Sequence, residues 1–575
     1  MLAGRPNIAQ RAGVGDITEL RGKPLEECDR LAGQVAMTAR VLAAAEGASG
    51  GVKKLMRPLQ FERRSIAVSN KSYWTVRPQF PKFPRLKHDL KVDVAVVGGG
   101  ITGVTAAYLL QKAGRSVALL ERDKFGGVDT SQTTAHLTFV TDIRLHELVS
   151  RFGRDHAQAA WDAGKAALDQ IGEIVQAEDL ACDFARVPGY LHAPWNGALK
   201  NEKKQLQQDV QLATDLGFDA EYLEVVPGVE TMGVRFANQA KFHPLKYLAR
   251  LLERLPGKKC QVFEGTEVSE VQEKPLKVKA NGHSVICDYL VIATHVPLQG
   301  NAGLLSAALF QSKLAPYTSY ALGAQLPKGS FPEALFWDTS DPYHYLRIDA
   351  HPRYDYAIYG GEDHKTGQEE RPEDRFRELD EFFAPHLPKT DISHRWSGQV
   401  IETNDGLPLI GETAERQFVA TGYGGNGMTF GTLGAIMACD AALGRKNPWQ
   451  ALFDVSRKKL IGGTWDYLKE NLDYPYYMIK DRLSAAEGKS VRNVRRGEGK
   501  ILKLDGRRLA VYRDLKGKTT TLSPVCTHLG CIVHWNSAES TWDCPCHGSR
   551  FKPTGQVLAG PAESALEDLS IPDAR

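Results

Sequence analysis

The sequence lacks any uninterrupted apolar run long enough to cross a bilayer, and its N-terminus lacks the charged, apolar and small-residue order of a secretory signal. The pair Arg63-Arg64 is of the type that begins a twin-arginine signal, but the residues after it are too few and too polar to form the apolar part of one. The sequence therefore predicts a cytoplasmic protein with no transmembrane segment.

An excess of charge of one sign is also missing. The chain has 72 Lys and Arg against 69 Asp and Glu, which gives a formal net charge of +3. A nucleic-acid binder normally carries a broad basic surface, so we expect no nucleic acid among the partners. At 575 residues, the chain is long enough for roughly three or four structural units.

Cysteine is scarce and unevenly distributed. Of the nine cysteines, five are isolated, whereas Cys526, Cys531, Cys544 and Cys546 fall within 21 positions. Such crowding predicts one local site rather than a disulfide framework for the whole chain.

Three parts of the chain differ in pattern. Residues 1–75 form an N-terminal extension without a readable motif, in which an Ala/Gly-rich stretch at 31–51 is compatible with one short helix. Residues 76–480 begin with a proline-containing arm and continue as a mixed α/β body. After a polar and basic linker, residues 487–575 show short alternating runs separated by turns, which predict a small all-β domain.

The first apolar strand of the body opens a complete βαβ unit. It is followed by Gly98-Gly99-Gly100-Ile101-Thr102-Gly103, then a helix and a second strand that ends at Glu121. In this spacing Gly98 permits a tight turn, Gly100 lets a pyrophosphate approach the helix N-terminus, and Gly103 lets helix and strand pack closely. Glu121 is placed to bind an adenosine ribose and disfavours the 2′-phosphate of NADP. The glycine spacing alone is weak evidence, but the whole unit predicts a dinucleotide site.

The choice between FAD and NAD depends on the rest of the chain. A nicotinamide-dependent flavin reductase normally needs a second glycine motif of this kind, and the sequence has none. Another glycine-rich stretch leads into an apolar helix and contains Gly424, Gly425, Gly427 and Met428. Its backbone amides are predicted to hold the pyrimidine edge of a flavin, because a helix N-terminus stabilises negative charge on reduced flavin.

Together these segments resemble the D-amino-acid oxidase family of FAD enzymes, which includes glycine oxidase and sarcosine oxidase, over about residues 90–445. The resemblance rests on residues 92–121, 288–294 and 404–411, and it departs at His295, where flavoproteins often have glycine. It implies an α/β fold in which an FAD-binding Rossmann-like domain carries an inserted α+β substrate domain. It also implies removal of a hydride equivalent from the carbon next to an amine nitrogen.

No residue can be named as the catalytic base from the sequence. Weak candidates for contact with the donor are His136, which follows the βαβ unit closely, Arg347, whose fork suits a carboxylate, and His364. Each has an ordinary alternative, since most histidines are structural and an arginine on a strand is more often solvated or ion-paired.

In the C-terminal domain, the crowded cysteines alternate with histidines. Cys526 and His528 form a C-x-H pair, Cys544 and His547 form a C-x-x-H pair, and fifteen residues separate His528 from Cys544. Two thiolates on one iron and two imidazoles on the other are the ligands of a Rieske 2Fe-2S cluster. Two Cys and two His can also bind a tetrahedral zinc ion. Zinc fingers, however, usually have two Cys in one segment and two His in the other, whereas each segment here contributes one Cys and one His.

The resemblance to Rieske proteins extends to neighbouring residues. Cys531 and Cys546 occupy positions that resemble the loop-linking disulfide of quinol-oxidising Rieske proteins, a bond that is unusual in the cytoplasm. Ser549 falls where a hydroxyl can donate to a bridging sulfide and raise the potential, whereas Phe551 replaces a tyrosine donor that is often present. We expect a reduction potential inside, but below the top of, the Rieske range of roughly −150 to +300 mV.

The whole chain resembles a bacterial family of FAD-dependent oxidoreductases with a Rieske tail. It is predicted to be a dehydrogenase-type enzyme that passes electrons from a small organic donor, an amine or amino acid, through FAD and the cluster to an external protein or quinone. Three alternatives stay open: a reductase or redox partner without an amine substrate, a redox sensor switched by the Cys531–Cys546 pair, and a Rieske oxygenase. The last is disfavoured because the sequence lacks a convincing His pair and acid for mononuclear iron.

Overall fold

The computed structural model describes residues 68–76, 79–197, 200–296, 313–388, 391–457, 477, 480–482, 486–488, 490–504 and 506–569. Most of the N-terminal extension predicted for residues 1–75, including the short helix expected within residues 31–51, lies outside the described residues.

The strands of the mixed α/β body follow the apolar runs of the sequence. They are β1 (Leu90–Val97), β2 (Val117–Leu120), β3 (His136–Leu137), β4 (Ala185–His192), β5 (Ala220–Leu223), β6 (Gly233–Lys241), β7 (Cys260–Phe263), β8 (Val268–Glu273), β9 (Leu276–Ala280), β10 (His283–Ile292), β11 (Leu314–Pro327), β12 (Leu335–Asp338), β13 (Tyr345–Ala350), β14 (Tyr354–Lys365), β15 (Asp391–Thr403), β16 (Leu409–Ala414) and β17 (Gln417–Thr421).

The helices lie between these strands. They are α1 (Ile101–Lys112), α2 (Asp129–Gln132), α3 (Leu145–Phe152), α4 (Arg154–Ala177), α5 (Glu202–Asp215), α6 (Pro244–Leu252), α7 (Pro372–Phe383), α8 (Gly427–Ala442) and α9 (Gln450–Phe453), with 3-10 turns at Tyr73–Val76, Gly424–Asn426 and Val491–Asn493. Within the described ranges, no helix has both the length and the apolar character needed to traverse a bilayer.

The first sheet has eight strands, and five of them run parallel in the order β17-β10-β1-β2-β7. β1 is its centre, and its side chains alternate between two apolar layers. Val94 and Val96 pack with α1 and α8, whereas Ala95 and Val97 pack with β9 and β10 on the opposite face. Coverage of both faces explains why this strand is an almost continuous apolar run.

The second sheet has nine strands and comes from two insertions into the first. The chain leaves the first sheet after β2 to form β3–β6, returns at β7, leaves again after β10 to form β11–β15, and returns at β16. Its order is β15-β11-β14-β13-β12-β4-β6-β3, with β5 beside β6. This arrangement is the inserted α+β domain that the family resemblance implies.

The C-terminal segment is all β. Its strands are β18 (Glu498–Leu504), β19 (Arg507–Arg513), β20 (Thr519–Leu522), β21 (His534–Asn536), β22 (Thr541–Asp543), β23 (Arg550–Phe551) and β24 (Val557–Ala559). They form a three-stranded sheet, β18-β19-β20, and a four-stranded sheet, β21-β22-β23-β24. Val533, Trp542 and Phe551 are completely buried in its core.

Candidate flavin and cluster sites

The turn between β1 and α1 is shaped by two glycines. Gly98 has a φ of +109°, and a Cβ atom there would lie 2.2 Å from the carbonyl oxygen of Ala293. A Cβ on Gly103 would lie 1.9 Å from the Gly98 oxygen, so strand and helix reach this separation only without those side chains. Gly100 caps α1 in an extended conformation. The first amides of a helix lack intrahelical partners, and an anionic pyrophosphate fits this end.

Glu121 lies at the end of β2 and is held in place by the backbone. One carboxylate oxygen accepts a hydrogen bond from Gly99 N at 2.7 Å, and the other accepts one from Asp123 N at 2.8 Å. Burial raises the pKa of this carboxyl, while the two amide donors oppose that effect. Since a carboxylate oxygen can accept more than one hydrogen bond, Glu121 retains acceptor capacity for ribose hydroxyls.

A single cavity of about 1550 Å³ runs from this cradle across the second sheet. Drug-sized ligands occupy roughly 300–1,000 Å³, so the cavity suits a longer molecule such as a dinucleotide. Its wall includes Gly98, Gly100 and Glu121 at one end and the loop before α8 at the other. His295 also lines it and has a φ of +64°, so this histidine adopts the left-handed backbone that glycine favours.

The N-terminus of α8 reaches the cavity, as the glycine-rich stretch predicts. Gly424, Gly425, Gly427 and Met428 all line the wall. An unexpected carboxylate lies beside them: Asp142 accepts hydrogen bonds from Gly425 N at 2.7 Å and from Asn426 Nδ2 at 3.2 Å. This acid was not identified from the sequence, because no motif surrounds it.

The three weak catalytic candidates lie in different places. His136 lines the cavity, and burial lowers its pKa to about 3, so its ring is neutral. Arg347 is almost fully buried, forms two hydrogen bonds with the carboxylate of Asp349 at 2.9 and 3.1 Å, and is absent from the cavity wall. His364 bonds to the Tyr320 hydroxyl at 2.9 Å and is also outside the wall. The structure therefore gives Arg347 an internal ion pair instead of a substrate carboxylate.

Several cavity residues belong to the second sheet or to the loop before β13. Tyr343, Tyr345 and Asp363 lie in the polar stretches 343–347 and 360–365, which also contain the candidates Arg347 and His364. Ser319 and Trp337 also line the cavity, and no sequence motif marks them.

In the all-β domain, the predicted cluster ligands lie on two loops that close in the same way. In the first cluster loop, residues 526–531, Cys526 N donates to Cys531 O at 2.8 Å and Gly530 N donates to Cys526 O at 3.0 Å. In the second cluster loop, residues 544–549, Cys544 N donates to Ser549 O at 2.8 Å and Gly548 N donates to Cys544 O at 2.9 Å. Each closed loop presents one cysteine and one histidine.

The four predicted ligands form two pairs, one of cysteines and one of histidines. The thiols of Cys526 and Cys544 are in hydrogen-bond contact, and the rings of His528 and His547 lie 4.8 Å apart. Burial lowers the pKa of His528 to about 4 and that of His547 to about 3, so both rings are neutral, as metal ligands must be. Nδ1 of His528 is buried and has no hydrogen-bond partner among the described residues. This donor set fits a 2Fe-2S cluster with two thiolates and two imidazoles.

A disulfide bond joins the two cluster loops between Cys531 and Cys546. The sulfur atoms of Cys531, Cys544 and Cys546 lie within 4.8 Å of one another, but the bond leaves only Cys544 as a potential thiolate ligand of the three. Ser549 is completely buried, and its Oγ accepts a hydrogen bond from Ala562 N at 3.0 Å beside the Cys526 thiol.

The second cluster loop packs directly on the second sheet. Gln399 Nε2 donates to Gly548 O at 2.9 Å, and Gln368 Nε2 donates to Pro545 O at 3.1 Å. Gln399 also lines the flavin cavity, whereas Gln368 does not. Residues 556–565 of the all-β domain line the same cavity near the dinucleotide cradle. The all-β domain therefore forms part of the cavity wall.

Comparisons with known proteins agree with this geometry. The family described as FAD dependent oxidoreductase matches residues 93–440, and the Rieske [2Fe-2S] domain matches residues 487–570. YhfW of Bacillus subtilis (strain 168), named as a Rieske 2Fe-2S iron-sulfur protein, is 32% identical over 507 residues, which are 87% of this chain and 97% of the relative. The gamma-glutamylputrescine oxidoreductase of Escherichia coli (strain K12) is 23% identical over 431 residues, 70% of this chain and 96% of the relative.

Among solved structures, glycine oxidase from Geobacillus kaustophilus aligns with a TM-score of 0.53 at 18% identity, covering 65% of this chain and 100% of that chain. This likeness is one of fold. Together with the family matches it confirms the predicted fold class, FAD and a 2Fe-2S cluster as cofactors, and an oxidoreductase activity.

Proposed function

Because this chain belongs to the family of FAD dependent oxidoreductases and ends in a Rieske [2Fe-2S] domain, we propose that it passes electrons from an amine through FAD and the cluster to an external acceptor. The named activity of the gamma-glutamylputrescine oxidoreductase is compatible with an amine-type donor.

The observation that carries the internal relay is the contact between the second cluster loop and β15. Gln399 lines the flavin cavity and donates a hydrogen bond to Gly548, the residue after the proposed ligand His547. The cavity wall and the second cluster loop are therefore in direct contact, and this contact supports electron transfer within one molecule.

The chemistry explains why both centres are useful. Oxidation of an amine breaks a C–H bond and releases two electrons together, whereas the cluster accepts one electron at a time. Bound flavin can exchange electrons in pairs or singly, and so it supplies the link. The protein's part is to orient the donor, exclude water from the cavity and hold the cluster loop against its wall.

A photoreduction experiment tests the relay without an enzymatic substrate. The flavin of the holoenzyme is reduced anaerobically by light with oxalate as the sacrificial electron donor, and flavin and cluster absorbance bands are followed separately. We expect cluster reduction to follow flavin reduction at a rate independent of protein concentration. A rate proportional to concentration would mean transfer between molecules and would overturn the internal relay. The His528→Ala variant, without a complete ligand set, is the control in which flavin stays reduced.

A donor panel tests the enzyme class. Anaerobic mixing with primary amines, secondary amines and amino acids should bleach first the flavin and then the cluster. If dithionite bleaches both centres and no donor does, the protein is a redox partner or reductase component without an amine substrate.

The disulfide argues against the redox-sensor alternative. Cys531 is 3% exposed and Cys546 is 4% exposed, so thiol reductants have little access to the bond. The same shielding would let the bond persist in the cytoplasm, which we propose as the location of the enzyme.

A further inference from the structure

The part of the cavity beyond the N-terminus of α8 contains two carboxyl groups with raised pKa values. The dinucleotide cradle and Glu121 occupy one end, and the second sheet provides the wall at the other. On that wall Asp363, on β14, lies beside the Ser319 hydroxyl, and its Oδ1 is buried with no hydrogen-bond partner in the part of the chain that the structure describes. Burial raises the pKa of the Asp363 carboxyl to about 7.

A second carboxylate lies nearby. Asp142 is deep in the protein, but its side chain is exposed to the cavity, and burial raises its pKa to about 6. The charge of Asp142 contributes to the raised pKa of Asp363, so the two carboxylates repel each other. A cation between them would relieve that repulsion and supply the missing partner for Asp363.

The Lys and Arg side chains of the described cavity wall either pair with other acids or lie at the ribose end. Arg144 forms ion pairs of 2.9 Å with both Glu202 and Asp209, and Arg151 pairs with Glu147 at 3.5 Å. The remaining four surround the ribose end near Glu121, and they are Arg85, Arg122, Lys124 and Lys552.

Two histidines bear on the charge at this end of the cavity. His136 is neutral. Burial lowers the pKa of His344, but Asp338 and Glu362, which contact its ring nitrogens at 3.3 and 3.4 Å, raise it to about 9. The His344 cation lowers the pKa of Asp363, but it lies outside the cavity wall and is held by those two other carboxylates. A carboxylate on the donor would therefore enter a site with two acids, where Arg144 and Arg151 are already paired with other carboxylates and the other wall cations lie at the ribose end, which is a costly burial.

Aromatic rings complete the pocket. Trp337, Tyr343 and Tyr345 line the same end, and the rings of the two tyrosines lie 6.0 Å apart. Aromatic faces attract ammonium groups but not carboxylates, and the Tyr345 hydroxyl is already bonded to Ser319 Oγ at 3.0 Å. Tyr343 also donates a hydrogen bond of 3.4 Å to Asp142 and so joins the aromatic wall to the acid.

We propose that the donor is an amine that binds as a cation, carries no carboxylate next to its nitrogen, and is held by Asp363 and Asp142 against these aromatic rings. The inference rests on the proposed function and names its substrate class. In the reaction, the ammonium loses a proton to a neighbouring carboxylate, the C–H bonding pair and its hydrogen pass to oxidised FAD as a hydride, and the nitrogen lone pair forms the C=N bond of the product.

Matched ligand pairs test the charge preference directly. Benzyltrimethylammonium is compared with phenylacetate, and tetramethylammonium with acetate, by titrating the holoenzyme and following the flavin absorbance spectrum. These cations lack a nitrogen lone pair and cannot be oxidised, so the titration reports binding alone. We expect each cation to bind at least about tenfold more tightly than its carboxylate partner. Tighter binding of the carboxylates, or no spectral response to either cation, would overturn the proposal.

Two variants locate the effect. Asp363→Asn should weaken cation binding about tenfold or more, whereas Glu362→Gln should not, because Glu362 is the preceding residue on the same strand but lies outside the cavity wall. Equal losses in both variants would contradict the assignment. Flavin content is measured for each variant, and the wild-type ligand comparison decides the question even if Asp363→Asn binds FAD poorly.

The experiments distinguish an incorrect substrate class from an incorrect electron relay. Photoreduction requires no amine in the cavity, so concentration-independent cluster reduction together with carboxylate preference would overturn only the substrate class.

Discussion

The two cofactor sites are constructed in opposite ways. The four proposed cluster ligands lie within 22 consecutive residues on two loops, each closed by its own backbone hydrogen bonds. The flavin cavity draws its wall from residues between Arg85 and Ala565, including a stretch of the all-β domain itself. A local site depends on a few side chains, so loss of one of them should abolish cofactor binding. A dispersed site should lose affinity for its cofactor only gradually, except at positions where two backbone segments are in direct contact.

The sharpest test of this contrast removes one cluster ligand. His528→Ala should abolish the cluster while leaving FAD bound, because His528 lies on the first cluster loop, whereas the described contacts with Gln399 and Gln368 are made by the second. Cluster content is measured by electron paramagnetic resonance of the reduced protein and FAD by absorbance after denaturation. Parallel loss of FAD would mean that the two sites are not separable.

The next test concerns a position in the flavin cavity where a single substitution should abolish cofactor binding, as expected for the cluster site. Gly103→Ala should prevent FAD binding and destabilise the protein by about 3 kcal/mol, because the added Cβ would lie 1.9 Å from the Gly98 oxygen. Gly257→Ala is the matched control, since a Cβ there meets nothing within 4 Å and Gly257 lies outside the cavity wall. Thermal unfolding and FAD content are measured for both. A stable, FAD-replete Gly103→Ala protein would contradict the close approach of strand and helix.

A smaller effect is expected where the two sites meet. Gln399→Leu should slow flavin-to-cluster transfer by up to about tenfold, the size expected for loss of one buried hydrogen bond. Gln368→Leu removes a comparable hydrogen bond to the same loop but lies outside the cavity wall. Transfer is followed after flavin photoreduction. If both variants slow it equally, Gln399 contributes to docking alone.

The same contrast explains what the sequence could predict. The βαβ unit and the cluster motifs are contiguous, so their spacing encodes their geometry, and the loop before α8 reaches the cavity as expected. Asp142 and Asp363 face a common cavity only because two separate insertions come together in the fold. No local pattern marks Asp142, and the polar stretch 360–365 around Asp363 does not indicate which other residues it meets. Arg347 has the chemistry of a carboxylate ligand, but the sequence could not reveal that Asp349, two residues away, would occupy its fork.

The smallest predicted effect is a change in the reduction potential of the cluster, caused by a side chain of the second cluster loop. Ser549 Oγ accepts from Ala562 N, an arrangement that leaves its hydroxyl hydrogen available on the side of Cys526. A donor on that side stabilises the more negative reduced cluster, so Ser549→Ala should lower the reduction potential by about 40 mV, equivalent to one hydrogen bond of about 1 kcal/mol for a one-electron couple. Thr527→Val is the control, because the Thr527 hydroxyl donates to Ser564 O at 2.6 Å, away from the ligands. Redox titration of the two variants separates these roles: a shift in Thr527→Val as large as that in Ser549→Ala would show that the potential responds to loop packing rather than to this hydroxyl.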